Sequence, residues 1–195
     1  MVDANGMTKS VVSVENDVQA IAREPRPFLF LEPARLPLRP IAIDPIGLER
    51  LDAEVGEVVP ALARSVVNYS IALQNRSALE RGNRQPIQLS VLNRRRRAAR
   101  AWLNAVIAGQ TDAATLHAVG TQWLPVLCGS GPDARPAPAV ARRFVEFVRG
   151  AITAHLFSEP CENLLPHARA LHVLETVLAM HLAGAVQAAR LSAAM

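Results

Sequence analysis

The residues able to do chemistry are few, and their spacing is poor for it. The chain has five histidines, His117, His155, His167, His172 and His181. Zinc held by a helix needs two ligands about one turn apart, as in HxxxH or HExxH. No such pair occurs: His167 and His172 are five residues apart, and His172 and His181 are nine apart. No metal site is expected, and each histidine reads as an ordinary structural residue. Cys128 and Cys161 lack CxxC spacing, are too few for a disulfide scaffold, and suit a reducing compartment. The run Cys128-Gly-Ser-Gly131 has the small residues of a nucleophile elbow. An elbow joins a strand to a helix, whereas this run follows a helix end and precedes a proline-rich loop. The phosphate-loop pattern GxxxxGK[ST] is absent. No catalytic residue is expected, and the chain reads as a non-enzyme without a cofactor.

Charge is the stronger signal. Residues 76–100 carry eight arginines (Arg76, Arg81, Arg84, Arg94, Arg95, Arg96, Arg97 and Arg100) against one acid, Glu80. Successive helical residues turn by about 100°, so Arg94–Arg97 must wrap the helix, and some must cross its buried stripe or pack their aliphatic stems. Such a cluster suits a plain solvated face, an acidic protein partner or carboxylates of its own domain, or a phosphate backbone. No aromatic residues interleave for base stacking, so nucleic acid stays the alternative. Lysine occurs once, at Lys9, so arginine carries nearly all positive charge.

The 195 residues suffice for one domain with a real core. Half are hydrophobic and only 4% are aromatic, which points to an Ala/Leu/Val core and favours helix over a β-sandwich. No secretory signal is expected, because Asp3, Glu15 and Asp17 fall where an apolar segment would lie. The most apolar stretch, Leu164 to Val186, is interrupted by His167, Arg169, His172, Glu175 and His181, so a membrane span is not expected. The expected location is cytoplasmic.

Residues 1–45 differ from the rest. Six of the fourteen prolines lie there, and proline forbids both helix and central strand. Phe28, Phe30, Leu31, Leu36 and Leu38 are too apolar for a plain linker. The segment reads as an extended arm packed on its own domain or on a partner. Residues 46–195 read as all-α, about six helices in a globin-like or bundle arrangement. Apolar steps of three and four predict helices over 46–58 and 60–79 with a break at Pro60. Gly82 is placed to stop the second. A third is predicted from Pro86 to Ala108 with Gly109 as its stop, then one from Asp112 to Leu127 capped by Thr111. The last two run from Ala139 to Phe157 and, behind an Asn163 cap, from Leu164 to Ala193.

The run Arg97-Ala-Ala-Arg-Ala-Trp102-Leu103, then Gly109, Asp112 and Val119-Gly120, resembles the middle of sensor globins, a group that includes protoglobins and haem-free stressosome globin domains. The run Ala61 to Leu73 resembles the family's second helix, with Tyr69 where a tyrosine lies above the haem. The family places its iron-ligating histidine three residues after the Val-Gly pair, where this chain has Trp123. Tryptophan cannot bind iron, and His117 lies six residues earlier, about 600° around the helix. The resemblance therefore implies the haem-free branch, a regulatory module that dimerises through its last two helices. A haem- or small-ligand sensor using Tyr69 and His117 is the alternative it leaves open. The last helix carries a stripe, Leu164, Leu171, Leu174, Val177, Leu178, Leu182 and Val186, for its own core or a partner, and no output domain is expected after it. The expected function is a non-enzymatic regulatory or scaffolding domain working by protein–protein contact as a homodimer. Its expected contact residues are Phe28, Phe30, Leu31, Arg94, Arg95, Arg96, Arg97 and Trp123.

Overall fold

The computed structural model describes residues 42–80, 87–129, 137–158 and 163–193. Residues 1–41 of the arm, with Phe28, Phe30 and Leu31, lie outside the described residues, as does Gly82, and the arm's last residues, Asp44 and Pro45, instead begin α1. Every regular element among the described residues is helical. Helix α1 spans Pro45–Val55 and α2 Val59–Glu80, with a 3-10 turn at Gly56–Val58 between them. Helix α3 spans Leu89–Ile107; α4 (Ala113–Ala118), a π turn (Val119–Trp123) and α5 (Leu124–Leu127) follow as one composite rod. Helices α6 (Pro138–Leu156) and α7 (Leu165–Ala193) complete the domain. The all-α expectation holds, with five long helices and one composite one among the described residues.

The caps explain most boundaries. Asp44 caps α1: its Oδ1 accepts from the Ile46 N–H at 3.2 Å, and Pro45 fills the first helical position, where no N–H is needed. Asp44 also accepts two bonds from Arg169 of α7, at 2.6 and 2.8 Å, so one carboxylate starts α1 and docks it. Asp112, one residue later than the Thr111 expected, caps α4 by accepting from the Thr115 N–H at 3.0 Å. Helix α7 starts one residue later than expected, so Leu164 holds the cap position, while Asn163 Oδ1 still accepts from the Leu165 N–H at 3.0 Å. Pro60 does not break a helix. It sits in the first turn of α2, and the break falls before it, in the 3-10 turn. Helix α3 starts three residues beyond Pro86. Gly109, at φ +64°, ends it in the left-handed region that glycine enters without strain.

Pro125 accounts for the π turn. Its ring would crowd the carbonyl four residues back in an α-helix. The widened turn, closed by the Leu124 N–H on the Val119 carbonyl, removes that conflict.

Helix α7 packs against α1, α3, α4, the π turn and α6, while α2 packs against α3 and α6. Two crossings are glycine-tight. A Cβ on Gly47 would lie 2.7 Å from the Arg169 carbonyl oxygen, and one on Gly120 would lie 2.6 Å from the Ala188 Cβ. The core joins Leu51, Val55, Trp102, Leu103, Phe144, Ile152, Leu174 and Leu178, all essentially inaccessible. By length and composition α7 would also reach across a bilayer, and half of its most apolar window is buried within the domain. The centre of its apolar stripe, Leu174, Val177 and Leu178, closes its own core, while Leu164 is left exposed.

Candidate functional site on the arginine helix

Helix α3 sorts its four consecutive arginines. Asn93, Arg96, Arg97 and Arg100 stand at helical steps of three and four, share one solvent-facing side, and line an open groove of about 420 Å³. None of these three arginines pairs with a carboxylate among the described residues. Arg94 is exposed as well. Arg95 is not: it is 1% exposed and lies on the buried stripe with Ala98, Ala99 and Trp102. The expected contact patch of four is therefore corrected. The buried stripe of α3 passes through Arg95, which cannot meet a partner at the surface.

Arg95 points toward the end of α5. Its Nη2 donates to Gln74 Oε1, and its Nε and Nη1 have no partner among the described residues. A Cβ on Gly129 would lie 2.9 Å from that Nη2, and Gly129 has φ +69°, so the chain passes the guanidinium only as glycine. Beside it, burial pushes the Cys128 thiol up to about 12, with the Arg95 charge pulling the other way. A protonated, half-buried thiol is no nucleophile, so Cys128-Gly129 reads as a helix end. Ser130 and Gly131 lie outside the described residues. Gln74, Cys128, Gly129, Arg143 and Phe144 border a cavity of about 450 Å³ between α2, α5 and α6.

A second buried polar group sits on the α7 side. His181 is inaccessible. Its Nδ1 accepts from the Trp102 indole N–H at 3.2 Å, and its Nε2 lies 2.7 Å from the Gln110 carbonyl oxygen, to which it donates. Those bonds fix a neutral ring with the proton on Nε2, and burial holds its pKa below the ordinary value. His167 is buried too, beside Arg50 at 3.4 Å and Phe157 at 5.7 Å between ring centres. The His155 Nε2 lies 3.0 Å from the Glu54 carbonyl oxygen. No group of three metal-capable side chains forms among the described residues.

The residues of the haem alternative do not converge. Tyr69 stacks on Phe147 at 4.2 Å and meets Phe144 edge-on at 5.3 Å, while His117 is exposed near the end of α4. Trp123 is half-buried and packs against the core, which leaves only part of it for a partner. Sequence reasoning missed the Trp102–His181–Gln110 link, since nothing in local spacing joins residues 79 and 71 positions apart. It did carry a signal for Arg95, which precedes Ala98, Ala99 and Trp102 by three, four and seven residues. Comparison of the chain with family models, curated proteins and solved structures finds no match.

Proposed function

We propose that this chain is a non-enzymatic, cytoplasmic regulatory or scaffolding domain that docks an acidic protein partner on the outer face of α3. The observation carrying the proposal is the alignment of Arg96, Arg97 and Arg100 on one exposed face without counter-ions among the described residues. Arginine forks recognise carboxylates bidentately, and exposed like charges held on one helix repel until an anionic surface neutralises them. The sensor-globin resemblance is kept as part of this reading, in its haem-free form. It is supported by the half-buried Trp123 at the ligand position and by the tight seat of Gly120 on α7. Homodimerisation belongs to the same proposal. Its support is the exposed Phe157, Leu164 and Leu165, and light scattering should give twice the chain mass.

The docking test is titration with a labelled polyglutamate peptide across a salt series. Arg96→Gln, Arg97→Gln and Arg100→Gln together should weaken binding at least about tenfold, the loss of one or two charge-assisted bonds. A charge-matched control, Arg64→Gln, Arg149→Gln and Arg190→Gln, should bind like the parent. Equal losses in both triples would reduce the effect to net charge and dismiss the face. Tighter binding of duplex DNA than of polyglutamate at the same salt would favour nucleic acid instead.

A further inference from the structure

We propose that the cavity between α2, α5 and α6 binds a small organic carboxylate, with its apolar body among Leu73, Leu127, Val140 and Phe144 and its head against Arg95. A guanidinium stays charged in a protein, and burying one without an anion is among the costliest arrangements in a core. Arg95 is 1% exposed and has no carboxylate beside it among the described residues. Two of its nitrogens lack partners.

Its one acceptor is the neutral amide oxygen of Gln74, and Gln74 also borders the cavity. The Gln74 side chain is solvent-exposed, so it is free to yield that position to a stronger acceptor. Arg95 is not itself on the cavity wall: its guanidinium lies directly behind Gln74 and Gly129, which are, and Gly129 adds no side chain between them. Arg143, exposed on α6, borders the same space and adds a second cation at the mouth. Arg76 on α2 borders it as well, and Ser70 adds a hydroxyl bonded to the Leu127 carbonyl. The rest of the wall is Leu73, Leu127, Val140, Phe144 and the protonated Cys128 thiol. An anionic head drawn to the arginines and an apolar body on Leu73, Leu127, Val140 and Phe144 match this lining, and inorganic phosphate is the control for a head without a body. This site does not depend on the outer face of α3.

Calorimetric titration of the full chain with hexanoate, hexanamide and inorganic phosphate tests the assignment. Hexanoate should bind, with hexanamide at least about tenfold weaker because a charge-assisted bond is lost. Gln74→Glu places a carboxylate on Arg95 from within the chain. It should raise the melting temperature and weaken hexanoate at least about tenfold. Arg95→Met, which keeps the volume, should also lose hexanoate, whereas the Arg96, Arg97 and Arg100 triple should bind it as the parent does. Undiminished hexanoate binding in a folded Gln74→Glu protein would overturn the proposal. So would equal affinity for hexanamide, competition by phosphate as strong as by hexanoate, or no hexanoate binding at millimolar concentration.

Discussion

The two sides of α3 treat polar groups in opposite ways. Toward α7, His181 has both ring nitrogens bonded, to Trp102 and Gln110, and α7 itself is seated by glycine-tight crossings at Gly47 and Gly120. Toward α2 and α5, Arg95 has one of three nitrogens bonded, and the outward arginines have no counter-ions among the described residues. A satisfied network adds stability and a unique packing, while unsatisfied charge adds neither. The α7 side is therefore where this domain is held together, and the arginine side is where it has charge left for something else.

The largest effect should come from the α7 side. Trp102→Ala removes a fully buried ring and the donor to His181, and should cost about 3–5 kcal/mol in chemical denaturation. A loss no greater than that of an exposed substitution would break the contrast. His181→Leu should cost less, about 1–3 kcal/mol, for leaving the buried Trp102 N–H without an acceptor.

His181 also gives the comparison a pH signature. Burial depresses its pKa below 6.5, so the unfolded chain takes up a proton that the folded chain refuses. Its contribution is complete above about pH 6.5 and falls by up to about 1.4 kcal/mol per pH unit as pH drops toward the folded-state value. Melts of the parent and His181→Leu across that range should converge at low pH.

On the arginine side the effects shrink. Arg95→Met should change stability by less than about 1 kcal/mol or raise it, as replacing buried unpaired charge with apolar volume does. A loss as large as that of His181→Leu would place Arg95 among the structural residues and erase the distinction. The Arg96, Arg97 and Arg100 triple should stay within about 0.5 kcal/mol of the parent, since its members are exposed and have no ion pair among the described residues.

Local patterns made the fold class, the role of Asn163 at the start of α7 and the Gly109 stop legible in the sequence, because each depends on a few neighbouring residues. The starts of α3 and α7 fall later than expected, and two other boundaries slipped for equally local reasons. Asp112 accepts better than Thr111, and Pro60 is harmless in a first turn. Of the candidate site, the arginine run was visible and so was the need for some arginines to turn inward. Arg95 was identifiable in principle from its phase with Trp102, yet its partner Gln74 sits 21 residues away on another helix. The His181 link and the Gly47 and Gly120 crossings depend on how α7 crosses its neighbours, which periodicity within one helix does not encode. Phe28, Phe30 and Leu31 lie outside the described residues, so their contact role rests on composition alone.

The most direct test of the docking claim is the polyglutamate titration of the parent, the Arg96/Arg97/Arg100 triple and the Arg64/Arg149/Arg190 control at matched salt, with melting temperatures recorded for each. The expected result is a loss of at least about tenfold confined to the α3 triple, at unchanged melting temperature. Equal binding by the two triples, or no binding by the parent at low salt, would contradict it.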